Sequence, residues 1–155
     1  MSIRNATIAD IPELVRLREI LAARMAADTH PPEDGWQDAY ATELTARLGD
    51  DDVAVLVIDA PDGTLAACGI GFVFHRFPGP GLPDGRFGYI LGMTTAPPHR
   101  RRGYGRAILD ALMSWYAARG VTRVDLHATS DGEPLYRSYG FTSRYPGLTW
   151  TAPHP

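Results

Sequence analysis

The stretch from Met93 to Arg106 does most to limit what this chain can fold into. An apolar segment ends at Thr95, a turn carries Pro97, Pro98, His99 and the three arginines Arg100, Arg101 and Arg102, and an amphipathic segment begins at Gly103. A strand must therefore pass through a tight turn straight into a helix. The first turn of a helix leaves backbone N–H groups without partners, and its dipole favours negative charge there. Gly103 and Gly105 carry no Cβ, so a ligand can approach the main chain closely. Strand, glycine turn and helix start make an anion cradle, and the pattern reads as a diphosphate site.

The segments on either side define a mixed α/β chain. Asp10-Ile11-Pro12-Glu13 reads as a helix start, with Asp10 as cap and Glu13 completing a capping box. Ile11, Leu14, Leu17, Leu21 and Met25 follow at helical spacing, and the helix should end before His30. A second helix is expected from Trp36 to Leu48. Val53–Asp59 and Leu65–His75 read as a hairpin across the Pro61-Asp62-Gly63 turn. The Pro/Gly-rich stretch from Arg76 to Gly85 reads as a long loop fit for a lid or a substrate rim. Phe87–Thr95 is the fourth strand after a short first one at Ser2–Thr7, and Gly92 inside it marks a bulge or a close backbone approach. Ile108, Leu109, Leu112, Met113 and Tyr116 form one wide apolar helix face ending near Gly120. Val121–Ala128 reads as a strand parallel to the fourth, because a helix joins them. Ser130-Asp131-Gly132-Glu133 opens a short helix that ends at Gly140, and Phe141 onward and Leu148–Thr151 read as final strands. No linker divides residues 1–155, so one domain is expected.

Composition narrows the function. The net charge is −3, which argues against a non-specific nucleic-acid binder. No apolar run is long enough to span a bilayer, and Met1–Asn5 lacks the layout of a signal peptide, so a cytoplasmic protein is expected. Cys68 is the only cysteine, which removes intrachain disulfides and cysteine-based zinc sites, and it reads as a small buried hydrophobe. The chain has no lysine, so a P-loop lysine and a Schiff base are excluded.

With these elements in place, the chain resembles the GNAT superfamily of acyl-CoA-dependent N-acetyltransferases. Arg100-Arg101-Arg102-Gly103-Tyr104-Gly105 matches the family's (Arg/Gln)-x-x-Gly-x-(Gly/Ala) turn, and Leu135-Tyr136-Arg137-Ser138-Tyr139-Gly140-Phe141 matches its Leu-Tyr-x-x-x-Gly-Phe signature. The resemblance implies a twisted, mostly antiparallel sheet with helices on both faces, splayed between the fourth and fifth strands. It implies acetyl-CoA as cosubstrate, no metal, an amine acceptor of small-molecule or peptide type, and a homodimer as a common assembly. By that resemblance, backbone groups from Arg100 and Arg101 through Arg102, Gly103, Tyr104 and Gly105 to Arg106 would hold the diphosphate. Met93, Thr94 and Thr95 would pair with the pantetheine arm, and Tyr136 would protonate the leaving thiolate. A backbone N–H near Met93 would meet the oxyanion.

Two positions depart from the family pattern. Thr129 stands where many members have Asn, and its hydroxyl would bond the cofactor. Phe87–Thr95 holds no carboxylate to serve as general base, so His127, Asp125, His75, Asp34 and water all remain open. His30–Trp36 and Arg76–Arg86 would shape the acceptor pocket, and Glu33 and Asp34 favour a cationic acceptor. Two rival functions stay in view. One is a dinucleotide-binding oxidoreductase, with Gly103-x-Gly105 opening a helix and Asp125 as the ribose acid, although Ile108 replaces the third glycine. The other is a non-catalytic acyl-CoA sensor.

Overall fold

A computed structural model describes residues 1–26 and 35–153. The expected end of the first helix, and the readings placed on Glu33 and Asp34, lie outside the described residues. Strands β1 (Ile3–Asn5), β2 (Val53–Asp59), β3 (Leu65–His75), β4 (Arg86–Thr95) and β5 (Val124–Leu126) form one sheet in the order β1-β2-β3-β4-β5. The first three pairings are antiparallel and β4–β5 is parallel. This is the mixed sheet expected, because the crossover helix α3 (Tyr104–Ala118) joins β4 to β5.

Strand alternation sorts the core into two layers. Ala54, Leu56, Ile58, Ala67 and Ile90 face α3, which buries Ile108, Leu109, Leu112 and Tyr116 against them. Val55, Val57, Cys68 and Ile70 face the other way, under α1 (Ile11–Ala26) and α2 (Trp36–Arg47), with Leu14 and Leu17 fully buried. The α1 stripe is shorter than its spacing predicts, since Met25 is exposed. None of the described helices is long and apolar enough to cross a membrane.

Glycines set how closely α3 approaches the sheet. A Cβ at Gly88 would lie 2.5 Å from the Tyr116 ring, and one at Gly71 would lie 2.8 Å from its hydroxyl. Tyr116 fills both spaces and donates its hydroxyl to the Tyr89 carbonyl at 2.8 Å. The α3 helix therefore grips β4 by its main chain.

The first helix begins differently from its sequence pattern. A 3-10 turn, Ile8–Asp10, precedes it, and Thr7 is the cap. Asp10 accepts the Thr7 N–H at 2.7 Å and the Arg4 guanidinium at 2.7 and 2.8 Å. Glu13 is thereby released from the capping box; it accepts bonds from Arg16 and from the Leu65 N–H. The loop after β3 also departs from the lid reading. Arg76 N–H bonds the Gly85 carbonyl, Gly79 and Leu82 bridge, and Leu82 is buried, so the loop is a pinned hairpin end. It stands at the start of β4, about 20 Å from Gly92 at strand rise. The fifth strand is shorter than Val121–Ala128, because the Val121 N–H is spent on the Tyr116 carbonyl at the end of α3. Helix α4 (Glu133–Tyr139) ends at Gly140 as expected, but Gly132 is its cap in place of the Ser130 capping box. No strand follows it among the described residues. Pro146 and Gly147 break the alternation there, and Tyr145, Leu148 and Trp150 are exposed.

Two predictions follow from this packing. Gly88→Ala overpacks the Tyr116 site and should lower stability by about 1–3 kcal/mol, read as a lower urea midpoint; an unchanged midpoint contradicts the packing described. The Arg4 hydrogen bonds, against the opposing effect of burial, pull the Asp10 carboxyl from 3.8 to about 2. A depressed acid stabilises the fold above its ordinary pKa and loses that contribution as pH falls through the folded value. Asp10→Asn should cost about 2 kcal/mol at neutral pH and flatten the loss of stability between about pH 4 and 2. Urea titrations at stepped pH test this, and parallel curves for both proteins would refute it.

Candidate functional site

The site is built on the C-terminal half of β4. Cys68 pairs with Thr94 and Ile70 with Leu91, so Gly92 and Met93 together oppose Gly69 alone. This is a β-bulge with glycine in the left-handed conformation, φ 69°. The Gly92 carbonyl accepts the Thr94 hydroxyl at 3.2 Å and the Cys68 thiol at 3.4 Å. Burial raises that thiol's pKa to about 12, so Cys68 remains a protonated donor. A Cβ at Gly69 would meet the Met93 sulfur at 2.6 Å and Ile108 at 2.5 Å. Met93 therefore packs its side chain toward α3 and leaves its main chain at the bulge.

Beyond the bulge, β4 loses its outer neighbour. Pairing with β5 runs only through Gly88–Val124, Tyr89–Asp125 and Ile90–Leu126, while β4 continues to Thr95. The splay lies where it was expected. The Ala96 N–H bonds the Ala66 carbonyl at 2.8 Å, and strand alternation then turns the amide groups of Thr95 to the open side.

The turn follows at once. Arg100 folds back, its Nε donating to the Thr95 carbonyl at 3.2 Å. Arg101 (φ 64°) and Gly103 (φ 81°) both adopt the left-handed conformation, which reverses the chain into α3. Among the described residues, the N–H groups of Arg101, Arg102, Gly103, Tyr104, Gly105 and Arg106 donate to no protein acceptor; the Ala107 N–H, to Gly103, is the first of the helix ladder. Arg101 and Arg102 are exposed and make no ion pair among the described residues. The Arg106 side chain runs along α3 instead, donating to Asp110 at 3.2 Å and covering the Tyr139 ring, so only its main chain faces the turn. Gly105 allows Leu135 of α4 to approach, since a Cβ would lie 3.3 Å from it.

Helix α4 closes the cleft. Tyr136 is 8% exposed and packs on Phe141, and its hydroxyl makes no hydrogen bond among the described residues. Burial raises its pKa to about 12, so it keeps its proton at neutral pH. Thr129 holds the turn that leads into this helix: its hydroxyl accepts the Gly132 N–H at 3.2 Å and its carbonyl accepts the Glu133 N–H at 3.0 Å. A threonine hydroxyl that accepts one bond still has its proton to donate. At the mouth, Arg24 of α1 is ion-paired with Asp131.

One residue escaped the sequence reading. Tyr89, on the α1/α2 face of β4, touches His127 Nδ1 through its hydroxyl. Its pKa is raised by burial and by Asp125, its register partner. Alternation along Phe87, Tyr89 and Leu91, set against Asp125 and His127, carries the signal, but only when the β4–β5 register is known. His75 pairs with Arg86 at the far end of β4, away from the bulge. On the same face as Tyr89, a cavity of about 200 Å³ lies between α2 and the sheet, walled by Tyr40, Leu44, Val55, Ile70, Phe72 and Leu91.

The profile of the acetyltransferase (GNAT) family matches residues 17–141. The chain belongs to this family. Among solved structures, this GNAT chain is similar to a GCN5-related N-acetyltransferase from Ralstonia eutropha JMP134, with 30% identity, 99% and 97% of the two chains covered and a TM-score of 0.78. A predicted acetyltransferase with acetyl-CoA from Clostridium acetobutylicum shares the fold, with 23% identity, 97% and 95% covered and a TM-score of 0.84. A mycothiol acetyltransferase from Nocardioides is 31% identical over 140 residues, covering 80% of this chain and 45% of the relative. The chain thus spans about half the length of that relative. The oxidoreductase alternative falls with the family assignment, and Asp125, its ribose acid, instead bridges Arg123 at 3.3 Å.

Because Gly103 has open space around it, a methyl group there meets only the backbone penalty. Gly103→Ala should cost about 1–2 kcal/mol through its positive φ, measured by chemical denaturation; parent-like stability would show that the turn relaxes without glycine.

Proposed function

We propose that this GNAT chain moves an acetyl group from acetyl-CoA to a primary amine of a small molecule or peptide, by direct attack in a ternary complex. The observation that carries the reading is the run of unpaired amides from Arg101 to Arg106 beside an open β4 edge. Such donors, at a helix start, suit a diphosphate. The main-chain groups of Met93 and the Thr95 N–H, with Thr94 between them, suit an extended amide-bearing arm that adds to the sheet edge, while Arg100 already bonds the Thr95 carbonyl. Arg101 and Arg102 supply charge, and the Thr129 hydroxyl gives one more donor near α4.

In this reading the bulge at Gly92 and Met93 presents a main-chain N–H to the oxyanion that develops as the amine attacks, a preorganised donor worth several kcal/mol of barrier. Tyr136 supplies a proton to the departing sulfur. It holds its proton at neutral pH, as an acid must when the thiolate forms. No side-chain nucleophile is needed, in keeping with Cys68 being spent on the Gly92 carbonyl. The acceptor enters from the α1/α2 face, where the cavity beside Leu91 gives room for an apolar substituent.

Acetyl-CoA and CoA should each raise the melting temperature, and NAD(P) should not. Thiol release should appear with at least one amine in a panel of polyamines, aminoglycosides, amino acids and peptide N-termini. Tyr136→Phe should lower kcat about 10- to 100-fold with little change in CoA affinity. Stabilisation without thiol release, unaffected by Tyr136→Phe, would instead identify an acyl-CoA sensor.

A further inference from the structure

We infer that His127, held by Tyr89, is the general base that takes the proton from the attacking amine. This rests on the acetyltransferase reading above and supplies the group that reading lacks. Four observations converge on it.

The first is position. Leu126 pairs with Ile90, so His127 is the next residue on β5 and stands level with Leu91, one residue short of the Gly92 bulge. It is the first residue beyond the last β4–β5 pair, at the fork where the two strands part. The second is direction. Val124 and Leu126 pack toward α3, so alternation turns Asp125 and His127 to the opposite face, which also holds Tyr89, Leu91 and the apolar cavity. The base thus lies on the acceptor side of the sheet, and Tyr136, in the α3-side core, lies on the other.

The third is orientation. Tyr89 occupies Nδ1, and Tyr116 in turn fixes the Tyr89 main chain from below. We take Nδ1–H as the donor to the Tyr89 oxygen, the tautomer that leaves the lone pair on Nε2. The fourth is access. His127 is exposed, and the residue against its Nε2 is Gly147, where a Cβ would stand only 3.2 Å away. A side chain at position 147 would crowd that nitrogen, and glycine adds none. The charged and titratable groups around the ring are Tyr89 and Asp125, with Arg123 bridging the Asp125 carboxylate. β4 itself carries no carboxylate, and Asp125 is ion-paired with Arg123.

The step balances simply. The ammonium gives one proton to Nε2 of His127, the neutral amine nitrogen then forms a bond to the thioester carbon, and the second proton it sheds on acylation leaves to solvent. The C–S bond breaks with its electron pair on sulfur, which takes the Tyr136 proton. Both side chains then return to their starting states by exchange with solvent.

The test has two arms. In the ligand-free protein, 15N NMR of the His127 ring should find the proton on Nδ1 and Nε2 bare, and Tyr89→Phe should erase that preference. A ring protonated at Nε2 in the neutral parent would overturn the inference. In turnover with the panel amine of highest kcat/KM, His127→Gln should lower kcat at neutral pH by about 100-fold or more. The KM for acetyl-CoA and the thermal shift with CoA should stay at parent values. The deficit should shrink as pH rises and the amine arrives already neutral. Tyr89→Phe, a positioning change, should cost about 10-fold with the same pH trend. A His127→Gln enzyme within threefold of the parent, with an unchanged pH profile, would remove His127 as the base while leaving the acetyltransferase reading intact. A parent that CoA fails to stabilise would overturn that reading and this one together.

Discussion

The site depends on a sheet that stops short. β4 and β5 pair over only three residue pairs, although β4 runs five residues further. Two competing sets of hydrogen bonds impose that limit. At one end the Val121 N–H belongs to the last turn of α3, and at the other the Thr129 carbonyl and hydroxyl belong to the turn that leads into α4. What remains between them is a strand too short to cover the bulge. The result is an open strand edge beside a run of amides that no protein acceptor takes up among the described residues.

The rest of the scaffold holds β4 still while its edge stays open. Tyr116 enters the space left by Gly71 and Gly88 and bonds the Tyr89 carbonyl. Cys68 and Thr94 both bond the Gly92 carbonyl, so the bulge is fixed from the β3 side. On the open side, Arg100 bonds the Thr95 carbonyl. Rigidity in the backbone is what an oxyanion donor requires, because a donor that must reorganise loses its advantage. The polar side chains then divide between the two faces of the sheet, Tyr136 on the α3 side and Tyr89, Asp125 and His127 on the α1/α2 side.

Local patterns carried much of this information. The apolar face of α3 is legible because Ile108, Leu109, Leu112 and Tyr116 repeat at helical spacing and nothing else buries them. The bulge was legible at Gly92, since a glycine inside a strand pattern has few other uses. The glycine turn was legible for the same reason at Gly103. The failures are equally local. Asp10 looks like a cap for the residues after it, yet Arg4 and Thr7, which lie before it, claim its carboxylate. Phe141–Thr151 has strand-like residues but meets no partner strand among the described residues. Thr129 reads as a cofactor ligand from its position alone; its bonds to Gly132 and Glu133, which hold the turn before α4, are not legible there.

The amino-acid order by itself determined which segments are strands and helices, where the glycines bend the chain, and which two motifs mark the family. Those are short-range properties, set by side-chain periodicity and by backbone angles that only some residues tolerate. Only the tertiary structure decided that β5 ends at Leu126, that Arg106 lies along α3, and that Tyr89 meets His127. The Tyr89–His127 contact depends on register between segments 38 residues apart, where a shift of one residue would send every side chain to the opposite face of the sheet, and Arg106 is placed by Tyr139 of α4 as well as by its neighbour Asp110.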